Sequence, residues 1–265
     1  GAGADVRNYI YTDTAVEVDR TGAAPSGAML TAGSLTASAT DTSSAELTSA
    51  GAAVSVSVGL AGGAQALSIG VALGRNVLAT RAAVDFSDVA LDTPLVDVSG
   101  TLDADARNTS DATATAVAAS VAASVAFNGA FALTGAGADA DNFIGNTSEV
   151  VVTGAHLDAG ADLRLDATSQ TTSTSAVVSA AVGAALGVSA GSNTFGLTFT
   201  ESRIGGDDAA DRDHVTRVRA EGSILEAGDD LRLAADATEA HHVSVAAASV
   251  AIALGAGGST AVAGI

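Results

Sequence analysis

The 265-residue sequence predicts an all-β fold: a tandem-repeat, stacked-β architecture, β-solenoid or β-helix-like, with four repeats of about 66 residues. Three observations carry that expectation: a repeated opening, a two-residue apolar period, and a composition of small residues. Gly33-Ser34-Leu35-Thr36-Ala37, Gly100-Thr101-Leu102-Asp103-Ala104, Ala161-Asp162-Leu163-Arg164-Leu165 and Asp229-Asp230-Leu231-Arg232-Leu233 open alike, and their leucines 35, 102, 163 and 231 are spaced by 67, 61 and 68 residues. Each opening leads to a Thr/Ser/Asp-rich stretch such as Asn108-Thr109-Ser110-Asp111, then to an Ala/Val/Gly arm, a glycine-rich break and a second arm.

The arms could be Ala-rich helices, because Val117, Val121 and Val125 recur every four residues. Val54, Val56, Val58 and Leu60 alternate strictly, however, and so do Val250, Ile252 and Leu254. Counted from the leucines, large apolar residues in all four repeats fall at odd offsets. A period of two accounts for all of them, a period of 3.6 for half. The arms are therefore expected to be strands, with Val, Leu and Ile on a core face and Ala, Ser and Gly on a face that lets a second layer approach. On that reading Val56 or Val182 replaced by Asp would cost several kcal/mol. Asn128-Gly129 between two apolar arms reads as a hairpin turn. Pro25 and Pro94 fall in connections between a second arm and the next leucine.

Arg75-Asn76-Val77-Leu78 and Asp141-Asn142-Phe143-Ile144 mark the second arms, and Ser202-Arg203-Ile204 holds that place without Asn in the third repeat. Arg7-Asn8-Tyr9-Ile10 would complete the fourth repeat if Ile265 were followed by Gly1. The expected organisation is 1–30 as the end of a preceding repeat and its connection, 31–97, 98–158 and 159–226 as repeats 1 to 3, and 227–265 as the first part of repeat 4, completed by a next segment. Further copies or repeats joined head-to-tail are thus the expected partners.

Composition narrows function. Aromatics make up 3% and Trp and Cys are absent, so the interior is built from small side chains without disulfide or thiolate chemistry. All eleven basic residues are Arg, thirty are carboxylates, and the formal net charge is −19. That charge disfavours nucleic acid and anionic membrane surfaces as partners. No uninterrupted apolar run reaches membrane-spanning length, so membrane insertion is not expected. Without Lys there is neither a phosphate-loop nor a Schiff-base lysine.

Gly187-Val188-Ser189-Ala190-Gly191 matches a nucleophile-elbow string but sits in a turn between strands, so no catalytic residues are expected. His156, His214, His241 and His242 lack zinc-site spacing and read as exposed or turn residues. Asp207, Asp208, Asp211 and Asp213 form the densest carboxylate cluster; it reads as a solvated loop, with Ca²⁺ as the metal such oxygen ligands would take. Asp139/Asp141 and Asp229/Asp230 are smaller clusters. Thr/Ser rows such as 168–175 suggest an ice-binding ladder as a further alternative, and Asn108-Thr109-Ser110 and Asn146-Thr147-Ser148 match the glycosylation sequon.

Ser223-Ile224-Leu225-Glu226-Ala227-Gly228-Asp229-Asp230-Leu231-Arg232-Leu233 and Ala155-His156-Leu157-Asp158-Ala159-Gly160-Ala161-Asp162-Leu163-Arg164-Leu165 resemble the Ala/Gly/Ser/Val-rich repeat regions of giant bacterial surface adhesins, the filamentous-haemagglutinin-like and leukotoxin-like proteins. The resemblance implies a stacked-β fold, export to the cell surface, and a structural role as filament, stalk or adhesin, with a cell surface or matrix as a further partner. Each repeat is longer than one ordinary solenoid coil, which suggests several coils, or a coil plus a hairpin.

Overall fold

The computed structural model describes residues 1–22, 27–205 and 214–265, and among these it holds twelve strands and no helix. Every pairing between described strands is parallel, and each keeps one register apart from a single shift between Gly255 and Gly258. The chain is a β-solenoid in which one sequence repeat makes one long, flattened coil.

A coil begins with a short strand: β2 (Leu30–Ala32), β5 (Val96–Val98), β8 (His156–Ala159) or β11 (Ile224–Ala227). These four stack as their own sheet in the order β11-β8-β5-β2. A corner then leads into an outgoing arm: β3 (Leu35–Gly59), β6 (Leu102–Ala126), the first half of β9 (Leu163–Ile204) or of β12 (Leu231–Gly264). The chain reverses at the tip and comes back along β4 (Ala64–Asp88), β7 (Gly129–Thr153), or the second half of β9 followed by β10 (Val215–Glu221). β1 (Ala2–Arg20) is a return arm stacked on β4. The short strand therefore precedes the repeated leucine, and the Thr/Ser/Asp-rich stretch continues the long arm without a break.

The tips are not hairpins, as Asn128-Gly129 led us to expect. β6 pairs with β3 and β9, whereas β7 pairs with β4 and β9, so the two arms of one coil share no ladder. They face each other through side chains as two layers, and their hydrogen bonds run to the coils above and below. Gly129 accordingly keeps an ordinary negative φ, while Gly154 (φ 60°) and Gly222 (φ 57°) take the left-handed conformation at the corners into β8 and β11.

The base of the blade, where the short strands close the coil, has a thick core of Phe86, Leu95, Val98, Leu102, Val150, Leu157 and Leu163. Beyond it the interior thins to alanine: Ala114, Ala116, Ala118, Ala136, Ala138 and Ala140, then Ala122, Ala126, Ala130 and Ala132 toward the tip. The layers approach so closely that a Cβ on Gly51 would lie 2.1 Å from the Val71 carbonyl oxygen, and one on Gly70 2.3 Å from that of Ala119.

This reverses the expected faces. Period two holds, but the buried face of the distal arm is the Ala/Ser/Gly face, and Val, Leu and Ile point outward. Val54, Val56 and Val182 are 74%, 69% and 38% exposed. No side chain larger than Ala or Ser fits where backbones of opposing layers nearly touch, so the larger residues occupy the outside.

The register expected to close between the ends is two residues out. Ala2 stands opposite Gly70, in the column of Ala136 and Gly196, while Gly264 stands opposite Phe195, one column earlier. Ala2 and Ile265 thus fall in the same column. A direct junction would place Asn8 two residues beyond the column of Asn76 and Asn142.

Substitutions on the two faces separate the arrangements. Gly51→Ala and Gly70→Ala should each lower stability by about 1–3 kcal/mol through overpacking. Val56→Asp should change the unfolding free energy of the monomer by less than about 1 kcal/mol, as expected for an exposed position. Denaturant melts of the three variants check both.

Candidate functional site

Asp207, Asp208, Asp211 and Asp213, and with them the Ca²⁺ expectation, lie outside the described residues, as does Pro25. Among the described residues no group of three or more His, Cys, Asp or Glu is placed to hold a metal ion. Asp139 and Asp141 share the outer face of β7, and Glu201 of the next coil joins them, its N–H donating to Asp141 Oδ1 at 3.1 Å. Partial burial, then the neighbouring Asp139 carboxylate, pushes the Asp141 carboxyl up to about 6.

Opposite charges align across coils on the proximal return arm. Glu149 receives Arg81 from one neighbouring coil (3.0 Å) and Arg217 from the other (2.7 Å), and Arg81 also reaches Asp13 and Asp85. Arg20 and Asp88 form a buried pair, in which Arg20 also donates to the carbonyls of Ala90 and Thr93 and so fastens the connection to β5. Burial alone would raise the Asp88 carboxyl; the Arg20 guanidinium and the N–H groups of Ala90 and Val89 outweigh it, and the carboxyl ends below its usual range.

The Asn signature of the second arms faces inward. Asn76 and Asn142 stack, with Asn76 Nδ2 donating to Asn142 Oδ1 at 3.0 Å. Each also crosses to the opposite layer: Asn76 donates to the Thr113 carbonyl (2.9 Å), Asn142 to the Thr174 carbonyl (2.7 Å) and Ser175 Oγ (3.0 Å). Ser202 takes the same column in the third coil and meets Ser173 Oγ at 2.6 Å. Closer to the base, Thr80, Asn108, Ser110, Asn146 and Thr171 form a second buried network. Both sequon asparagines belong to it and are fully buried, so their role is to bond the layers. Nearer the tip such bonds cease: the hydroxyls of Ser68, Ser120, Ser124, Thr134, Ser179 and Ser192 have no protein partner, and packing and backbone ladders hold that part together.

Two of the four histidines depart from expectation. His156 and His214 are largely buried, close to Glu226 (3.6 Å) and Glu239 (3.1 Å) respectively, and burial lowers the His214 pKa. His241 and His242 are exposed, and His241 Nδ1 lies 3.0 Å from Ser202 Oγ. Ser189 of the elbow string lies at the tip, its N–H donating to the Asn128 carbonyl. The outward Thr/Ser rows are interrupted: Thr42, Thr109, Gln170 and Thr238 share one column, Thr40, Arg107, Thr168 and Asp236 another.

The surface that sequence reasoning missed is the outer face of the distal outgoing arms. Val54, Val121, Val182 and Val250 stack in one column; Ala52, Ala119, Ala180 and Ala248 stack in the column two residues earlier. Val58, Val125, Leu186 and Leu254 follow toward the tip. Val58, Val125 and Leu186, with Leu60, Phe127 and Val188, border a shallow apolar trough of about 410 Å³. The face carries no charge between residues 50 and 60 or in the matching columns. The odd offsets revealed the columns, but burial was assigned to the wrong side because large apolar residues usually mark the core.

The two ends of the stack are also exposed. β1, β2 and β3 form one edge and β10, β11 and β12 the other, each strand lacking a ladder partner on its outer side among the described residues. At the β12 end the inward-facing Leu231 is 50% exposed, whereas Leu163 in the same column is 0%.

No family model, no curated protein and no solved structure matches this chain.

Asn142→Ala should lower stability by about 2–3 kcal/mol, since it strands buried partners in both layers; a denaturant melt reads this directly. Asp141→Asn tests the raised carboxyl. A group whose folded pKa is raised stabilises below its unfolded value and loses that contribution as pH climbs through about 6. The advantage of Asp141→Asn over the natural sequence should therefore grow between pH 4 and pH 7.5 in thermal melts.

Proposed function

We propose that this chain is a structural repeat segment of an extracellular bacterial filament, stalk or adhesin, acting by extension, self-assembly and surface attachment, with no catalytic role. The observation that supports it most is the open stack. Parallel coils in register leave rows of unpaired N–H and C=O groups at both ends, which are templates for another coil. The inward Leu231 and Leu233 at the β12 end are half exposed in columns where Leu163 and Leu165 are fully buried, so a further coil would complete the same core. Further copies or repeats placed head-to-tail supply such a coil, and stacking by translation does not close into a ring.

The resemblance to giant adhesin repeats supports the same reading, as does the chemistry of the surface. A chain with a net charge of −19 and no Cys keeps an extended stack soluble and independent of redox conditions.

Electron microscopy of the purified chain across a concentration series tests this. Rods that lengthen with concentration, with an axial repeat of about 4.8 Å in diffraction, are expected. Compact particles of constant size up to millimolar concentration would refute end-to-end assembly.

A further inference from the structure

We infer that two copies of this chain pair face to face through the distal outer face of their outgoing arms, about a two-fold axis parallel to the stacking direction. This contact is distinct from the end-to-end stacking proposed above and does not depend on it.

Large and small residues alternate on this face in a pattern that complements itself. Such an axis, placed over Ser120, keeps each coil level with the same coil of the partner copy. It sets the residue n positions before Ser120 opposite the residue n positions after it. Val121 then meets Ala119, and the same holds for their columns, which are Val and Ala in all four coils. The next pair of columns is more telling. In the second and third coils Val117 meets Ala123 and Val178 meets Ala184. In the first and fourth the sizes are exchanged, Ala50 meeting Val56 and Ala246 meeting Ile252. Where one column switches from large to small, its opposing column switches from small to large. Further out, Val125 meets Thr115 and Leu186 meets Ala176. Every ridge in these columns thus finds a small residue or Thr, the condition for a dry interdigitated interface between two flat in-register sheets.

Area and charge agree. Four strands about 4.8 Å apart and eleven residues at about 3.3 Å each make a face of about 700 Å². Two such faces bury about 1,400 Å², within the range of specific interfaces, and each additional coil extends it. The axis also keeps the acidic bases of the blades apart, pointing in opposite directions with only the tips overlapping. A lipid surface fits less well, because a membrane-facing β-surface is flanked by aromatic girdles and this face has no Trp or Tyr.

The test is sedimentation of the chain from 1 to 200 μM, with variants whose circular dichroism confirms the native fold. The natural sequence should dimerise in high salt, and V121E/V182E should weaken the pairing at least about 100-fold. T109E/Q170E places the same charges on the same coils outside the overlap and should leave it within about threefold. A123V alone opposes Val to Val117 and should weaken pairing about tenfold or more. V117A/A123V recreates the size order of the first coil and should restore it to within about threefold. A natural chain that stays monomeric to 200 μM would overturn the proposal, as would a dimer indifferent to V121E/V182E or a V117A/A123V variant no better than A123V. So would a monomer that floats with neutral phosphatidylcholine vesicles and loses flotation in V121E/V182E, which would assign the face to lipid.

Discussion

Everything in this structure follows from how closely the two layers of each coil approach. Gly51 and Gly70 lie so near the opposing backbone that even a methyl group would collide with a carbonyl oxygen. That spacing fills the interior beyond the base mostly with Ala, Ser, Gly, Thr and Asn, with Leu47, Leu78, Ile144 and Val177 as the larger exceptions, and it leaves most other large residues in the base or on the outer surface. The consequence is a blade with an ordinary aliphatic core at one end and an inverted distribution at the other. Stability in the distal half cannot come from burying large side chains. It comes from ladders that join each arm to its neighbours along 25 residues, repeated in every coil.

Polar groups inside the blade divide the same labour. In the middle, Asn76, Asn142, Asn108 and Asn146 bond across the interior to side chains or backbone carbonyls of the opposite layer, fixing the register of outgoing against return arms. Among the described residues, charges inside the blade are few: Asp41, which accepts from Ser43 Oγ on the inner face of β3, and Arg20 with Asp88, which are buried together where the return arm leaves for the next short strand. Because each coil repeats the same columns, opposite charges such as Glu149 between Arg81 and Arg217 recur at the spacing of neighbouring strands. Asp141 between Asp139 and Glu201 is the counterexample, and its carboxyl is raised first by partial burial and then by the neighbouring carboxylates.

Much of this was legible in the sequence. The four leucines gave the columns, since Leu35, Leu102, Leu163 and Leu231 do stack on one another. The two-residue alternation of Val54, Val56 and Val58 identified the arms as strands against a helical alternative. Which face was buried was not legible, because the size of a residue signals the core only when the layers have room for it. The tips were misread for a related reason: Asn128-Gly129 is compatible with a hairpin and with a reversal between two layers, and only the pairing of β6 with β3 and β9 decides. The Asn signature was visible as a motif, but its role as an interior bond between layers needed the opposite arm in place. The histidines looked exposed because nothing local announced the burial of His156 and His214.

Adjacent distal residues divide into a small interior face and a large exterior one, and the absence of native cysteine allows a direct measurement of that division. Val121→Cys and Ala122→Cys place single thiols on opposite faces of β6 in the same coil. The rate of modification by a small thiol reagent, in dilute native protein and again after denaturation, reads the exposure of each. Cys at 121 should react at close to its denatured rate and Cys at 122 should be slowed by at least about a hundredfold, the scale set by a local opening free energy of about 3 kcal/mol. Protection at 121 with free reaction at 122 would restore the large residues to the core and contradict the structure described here.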